Sequence, residues 1–158
     1  CDKKHLHTEL NIVMNEQTAT KVHWSYWLIG IIALLWHVGG CLNYLMQTNP
    51  EVVMKFPDSH RAIIEGRPVW ATGGFAIGVF VGALASLLLL LRKKAAIYGF
   101  VLSLIGIVVT MIHTIGIASS AVVFRPSEIF VMVVLPVIVT ASLIWYSNQA
   151  HRKMWFKS

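Results

Sequence analysis

The chain has 158 residues, 56% of them apolar and only 13% charged, with a formal net charge of +6. A soluble domain carries about 25% charged residues, and here the deficit lies in long uncharged runs, which excludes an ordinary soluble fold and marks an integral membrane protein. The positive balance calls for no nucleic acid, because lysine and arginine gather at the ends of the apolar runs, where anionic lipid headgroups receive them.

Residues 1–23 read as a polar N-terminal tail. The stretch "MNEQTATKVHWSYW" is an ordinary lead-in to a span, so the natural start is expected at Met14 and His5 and His7 are not counted as ligands. A mature lipoprotein beginning at Cys1 is the alternative, and it would reverse the charge pattern of the loops. The two cysteines make no disulfide framework, since Cys41 lies within an apolar run and Cys1 in the tail.

Four runs exceed the roughly 20 residues that cross a bilayer, and spans are predicted over 24–46, 70–91, 95–117 and 129–147. In the first, Trp24, Tyr26 and Trp27 suit the headgroup interface, as do Trp145, Tyr146 and Trp155 around the end of the last. The connection 47–69 has Asp58 or Ser59 as an N-cap and Gly66-Arg67-Pro68 as a stop, which predicts a short interfacial helix over 59–65. Such a helix turns Ala62 and Ile63 to lipid or the bundle, and His60, Arg61 and Glu65 to water or a docking partner.

The second span carries Gly74, Gly78, Gly82 and Ser86 at four-residue intervals, which lays small residues along one face and lets another backbone approach closely. Ala95, Gly99, Ser103 and Gly106 of the third span offer the matching face, and Arg92-Lys93-Lys94 joins the two as an antiparallel hairpin. Pro136 in the fourth span removes a backbone donor and bends the helix, with Thr140 placed to satisfy the freed groups. A basic tail, 148–158, follows.

Orientation follows from the basic residues. Lys3, Lys4, Lys21, Arg92, Lys93, Lys94, Arg152, Lys153 and Lys157 lie on one side; Lys55, Arg61, Arg67 and Arg125 lie on the other. Nine against four places both termini in the cytoplasm. The expected fold is an all-α, integral membrane four-helix bundle.

Polar side chains inside the bilayer are costly and face the bundle interior, so each is a candidate for function. On the first helix Trp36, Gly40 and Asn43 share a face, and His37 and Tyr44 a neighbouring one. Thr110 and His113 share the inward face of the third span. These seven residues are either the polar glue of the bundle or a candidate small-molecule site between the first and third spans, toward the outer leaflet. His37 and His113 also raise haem b with bis-imidazole ligation, but their depths differ by roughly 9 Å at 1.5 Å per residue. The spans hold no Asp, Glu, Lys or Arg, which removes the usual carboxylate of a proton-coupled transporter. The sequence has no catalytic triad, phosphate loop or metal-spaced cluster, so no enzyme is expected and no metal.

The stretches "WLIGIIALLWHVGGCLNYLM", "RPVWATGGFAIGVFVGALASLLLLLRKK" and "VLSLIGIVV" resemble a family of small four-span proteobacterial membrane proteins often labelled sugar transporters. In that family the first-span motif reads Trp-Asn with Asp-Tyr six residues beyond the Asn; here those places hold His37 and Asn43-Tyr44. The resemblance covers Trp27 to about Trp145 and implies a multi-pass protein of the bacterial inner membrane. Two functions stay in view: a binding or accessory component of a larger membrane complex, docking through residues 51–67, or a small-solute transporter that works as a homo-oligomer.

Overall fold

The computed structural model describes residues 22–118 and 125–156. The expected start at Met14, the N-terminal tail up to Lys21 and Lys157 lie outside the described residues. Four helices long and apolar enough to cross a membrane dominate the chain, and no strand occurs among the described residues. The expected all-α four-helix bundle is what the structure has.

Helix α1 (Trp24–Met46) starts where the Ser25 amide donates to Nδ1 of His23 at 3.3 Å. At 1.5 Å per residue it reaches about 35 Å, enough to cross the hydrocarbon core. It buries Tyr26, Gly30, Ala33 and His37, a stripe at spacings of three and four. Helix α2 (Pro50–Val53) is a single turn capped by Asn49, whose Oδ1 accepts from the Glu51 amide at 3.0 Å. Helix α3 (Asp58–Glu65) starts one residue before the predicted 59–65, and the expected Asp58 or Ser59 cap is not formed. Pro57 holds the N-cap position without a side-chain bond, and Asp58 instead pairs with Arg61 one turn on.

Helix α4 (Val69–Leu90), α5 (Ala95–Ala118) and α6 (Pro126–Arg152) are the other three spans. α6 runs past the predicted 129–147 at both ends, because Glu128 starts it early by accepting from the Arg125 amide at 3.1 Å and His151 and Arg152 suit its C-terminal turn. Part of the predicted basic tail is therefore helical. Two spans contain one π-helical turn each, Ile77–Val81 in α4 and Phe130–Val134 in α6. The second lies just upstream of Pro136, where the missing donor widens the turn. Thr140 donates to the carbonyl of Pro136 itself at 2.9 Å. The bond is thus local to Thr140's own turn and does not reach the carbonyl freed upstream by the proline.

α1 packs on α4, α4 on α5 and α5 on α6, while α1 and α6 scarcely meet. The small-residue faces make the α4–α5 contact. A β-carbon on Gly74 would lie 2.9 Å from Val109 and one on Gly78 3.0 Å from Ile107, both side chains of α5. On the α5 side, one on Gly99 would lie 2.8 Å from Ala85, and one on Gly106 2.6 Å from the Gly74 carbonyl. Ser103 adds a bond to this seam, donating to the Gly78 carbonyl at 2.5 Å.

The apolar core sits at the end of the bundle that holds the α4–α5 hairpin. Tyr26, Ala33, Ala85, Leu89, Ala96, Phe100, Leu143, Ala150 and Phe156 form it. The Tyr26 hydroxyl donates to the Leu89 carbonyl at 2.5 Å, and its ring meets Tyr146 at 6.2 Å and Trp155 at 5.7 Å. Arg92 Nε donates to the Trp155 carbonyl at 2.5 Å, tying the hairpin to the end of α6. The four spans are fastened together here, and α1 and α6 part toward the other end.

Candidate functional site

The parting leaves a cleft of about 660 Å³. Its walls come from the second half of α1, from α3, from α4 and α5, and from the first half of α6. Both π-helical turns border it, through Gly78 and Val79 on one side and Val131 and Met132 on the other. A π turn rotates the side chains that follow it relative to a regular helix, and such turns recur at functional sites. Leu35 and Val131, on the two flanking helices, are 66% and 57% exposed, so the gap between α1 and α6 faces hydrocarbon.

Of the seven residues predicted to line a site, five do: Trp36, His37, Gly40, Asn43 and Thr110. Tyr44 and His113 do not. Tyr44 is held edge-on by Phe75 at 5.5 Å and Phe80 at 5.6 Å, since an aromatic ring on the α4-facing side of α1 gains more from these rings than from an open cleft. His113 turns the other way, placing Nε2 3.2 Å from the Ile63 carbonyl and its ring edge-on to Trp70 at 6.2 Å. A carbonyl only accepts, so Nε2 donates. The carbonyl it satisfies is one of those that the last turn of α3 leaves without an intrahelical partner.

His37 is 3% exposed, with Nδ1 2.8 Å from the Ala33 carbonyl and 3.2 Å from the Ser86 hydroxyl oxygen. Nδ1 therefore carries the proton, and Ser86 spends its own on the Gly82 carbonyl at 2.9 Å. His37 Nε2 is buried with no partner. The imidazole packs where Gly82 lacks a side chain, so Gly82 and Ser86 serve α1 as much as α5. With His37 Nε2 pressed against Gly82 and His113 Nε2 bonded to Ile63, the geometry lends no support to joint haem ligation. Among the described residues no group of three or more His, Cys, Asp or Glu could hold a metal ion.

Thr110 donates to the Ala71 carbonyl at 3.0 Å and the Gly106 carbonyl at 3.1 Å, so its hydroxyl fastens α5 to α4 while its flank faces the cleft. Asn43 accepts from Gln47 Nε2 at 3.2 Å. The other oxygen-bearing end of that pair, Gln47 Oε1, is buried with no partner.

The residues predicted for docking divide. His60 lines the cleft, against the expectation that it faces outward, because α3 packs its His60 and Ile63 side over the cavity. Arg61 is engaged with Asp58, and Glu65 is exposed. Sequence reasoning missed Gln47 and Arg67. Arg67 lines the cleft with its guanidinium carbon 5.2 Å from the centre of the Phe75 ring and its Nε buried without a partner. Burial lowers its pKa from the ordinary guanidinium value, with the Tyr44 oxygen acting in the opposite direction. The signal was present: a basic residue next to proline, at the level where a span begins.

Comparison of the chain with family models, with curated proteins and with solved structures found no match.

Proposed function

We propose that this chain is a non-enzymatic binding component of a membrane, whose cleft takes a small molecule that enters between α1 and α6. The observation that carries this reading is the concentration of unpaired polar atoms on one cavity. Gln47 Oε1 and Arg67 Nε are both buried without partners, and both belong to residues that line it. An unsatisfied buried polar group costs about 1–3 kcal/mol, so two along one largely apolar cleft favour an occupant. By the distribution of basic residues we read the Arg92 end as cytoplasmic and the cleft as opening in the outer half of the bilayer. The resemblance above is what supports a bacterial inner membrane.

Gly39 provides the test. It lines the cleft, and a β-carbon there meets nothing within 4 Å, so Gly39→Phe sets a ring at the cleft wall without a clash at its β-carbon. Native mass spectrometry after gentle extraction should show a retained small molecule on the wild type and not on this variant. Identical spectra would overturn the reading. A stoichiometric protein partner seen equally with both forms would favour docking on a larger complex instead.

A second reading, transport by an oligomer, draws on Pro136 and the two π-helical turns at the cleft, where the helices could bend. Uptake of a labelled monosaccharide by the purified protein in liposomes, abolished by Gly39→Phe, would favour it.

A further inference from the structure

We propose that the ligand is an anionic amphiphile: an acidic headgroup bearing a neighbouring hydroxyl, of the phosphoglycerol type, bound at Arg67 and Gln47, with its acyl chain lying in the gap between α1 and α6. This deepens the binding reading given above and rests on it.

Charge is the first argument. The cleft lining contains Arg67 and His60 but no Asp or Glu. Among the described residues the one ion pair joins Arg61 to Asp58 and leaves Arg67 aside. The Arg67 guanidinium lies over the face of Phe75, and its Nε is buried without an acceptor. Arg67 is half-buried, and a guanidinium nitrogen taken out of water without an acceptor is costly. A phosphate or carboxylate oxygen, which guanidinium forks match well, removes that cost.

The second argument is the sense of the missing bonds. Arg67 Nε is a donor lacking an acceptor, while Gln47 Oε1 is an acceptor lacking a donor, because the amide nitrogen of Gln47 is committed to Asn43. A bare anion satisfies the first and repels the second. A headgroup with an anionic oxygen and a hydroxyl close by satisfies both.

The third is the remaining wall. Away from these two residues most of the lining is apolar, Leu35, Val79, Ile107, Met111, Met132 and Pro136 among it, and the methionines adapt to a flexible chain. A water-soluble sugar or a free phosphate ester would leave this surface uncovered. Since the gap opens to hydrocarbon, a lipid reaches it by lateral diffusion, with its headgroup at the level where α4 begins and its chain along α6.

The experiment uses the full chain in mixed vesicles of phosphatidylglycerol and phosphatidylcholine, extracted gently and examined by native mass spectrometry. One phosphatidylglycerol should remain bound per chain, in preference to phosphatidylcholine by about tenfold, because the choline cation offsets the phosphate charge that Arg67 meets and brings no hydroxyl to donate to Gln47. Arg67→Gln should abolish the preference, and Lys55→Gln, a basic change outside the cleft, should keep it. Glycerol phosphate without acyl chains should not compete. Equal retention of the two lipids, an unchanged preference in Arg67→Gln, or competition by glycerol phosphate would each overturn the proposal. If Arg67→Gln fails to fold, Gly39→Phe decides in its place and should lose the bound phosphatidylglycerol. Loss of some other molecule from Gly39→Phe would sink the anionic amphiphile and leave the binding reading standing, whereas no difference between Gly39→Phe and wild type would sink both.

Discussion

The imidazole of His37 fills the space that a side chain on Gly82 would take: a β-carbon built on Gly82 would stand 2.5 Å from His37 Nε2 and 2.8 Å from Ser103 Oγ. The polar residue of α1 and the glycine of α4 are thus one arrangement. His37 Nδ1 is held within α1 at Ala33 and across the interface at Ser86, and Gly82 gives the ring a place.

Gly82→Ala should therefore push α1 from α4 and cost about 1–3 kcal/mol, as overpacking of a tight core does. His37→Ala empties the same space. In the double variant the two effects should not add, and the alanine at 82 should cost much less than it does alone. Reversible unfolding in detergent with increasing dodecyl sulfate measures all four corners of this cycle. Simple additivity would mean that the two residues do not share the space.

Glycines in these helices should differ sharply in what they tolerate. A β-carbon on Gly106 would lie 2.6 Å from the Gly74 carbonyl oxygen and 2.7 Å from the Gly78 amide nitrogen. Those are backbone atoms, and no rotamer change relieves the clash. Gly106→Ala should cost about 3 kcal/mol or prevent the hairpin from closing. Gly39→Ala and Gly73→Ala meet nothing within 4 Å and should gain up to about 1 kcal/mol from helix propensity. The ordering by melting temperature in one detergent is the check.

The spans were legible because apolar length leaves little choice in a bilayer, and the limits of α1 coincide with those read from sequence. The α4–α5 seam was legible because glycine at four-residue intervals has few other uses. The turn at Pro50 also carried a signature, asparagine before proline, that could have been read as a cap and first helical residue. The widened turn Ile77–Val81 contains nothing in its composition that marks it. At the cleft, Trp36, His37, Gly40, Asn43 and Thr110 followed from polar positions on two helices. Arg67 and His60 did not, because a loop read alone as interfacial gives no sign that it folds over a gap between α1 and α6.

Among the described residues, two other than glycine take left-handed backbone, Arg92 at φ 59° and Met154 at φ 55°. Each ends a helix in the same way. The Lys93 amide reaches back to the Leu88 carbonyl at 2.9 Å and the Trp155 amide to the Ala150 carbonyl at 3.1 Å. Met154 is 69% exposed, so its side chain offers little to offset the strain, and Met154→Gly should stabilise the protein by up to about 1 kcal/mol. Arg92 is different, because its Nε holds the Trp155 carbonyl. Arg92→Gly relieves the backbone but loses that bond, and Arg92→Ala loses the bond while keeping the strain. The alanine variant should be the less stable of the two, by about 1 kcal/mol. A glycine variant no better than alanine in denaturant unfolding would show that the left-handed turn is not strained.

His113 should act on α3 and leave the rest of the bundle alone. It is partly buried, it donates to Ile63 at 3.2 Å, and Ile63 is the buried apolar anchor by which α3 rests on the spans. His113→Leu keeps the bulk against Trp70 but leaves the Ile63 carbonyl without its donor, a loss of about 1–3 kcal/mol if water cannot replace it. Because α3 is only eight residues long and makes few other contacts, the loss should appear as local opening and not as global unfolding. Amide hydrogen exchange should rise across 58–65, while the amides of 85–100, next to the Tyr26 core, keep their protection. His113→Gln, which can still offer a donor toward Ile63, should restore part of it. Since α3 also carries His60 over the cleft, His113→Leu should weaken retention of any cleft ligand without a matching drop in the melting temperature. A uniform rise in exchange along all four spans would show instead that His113 supports the whole bundle.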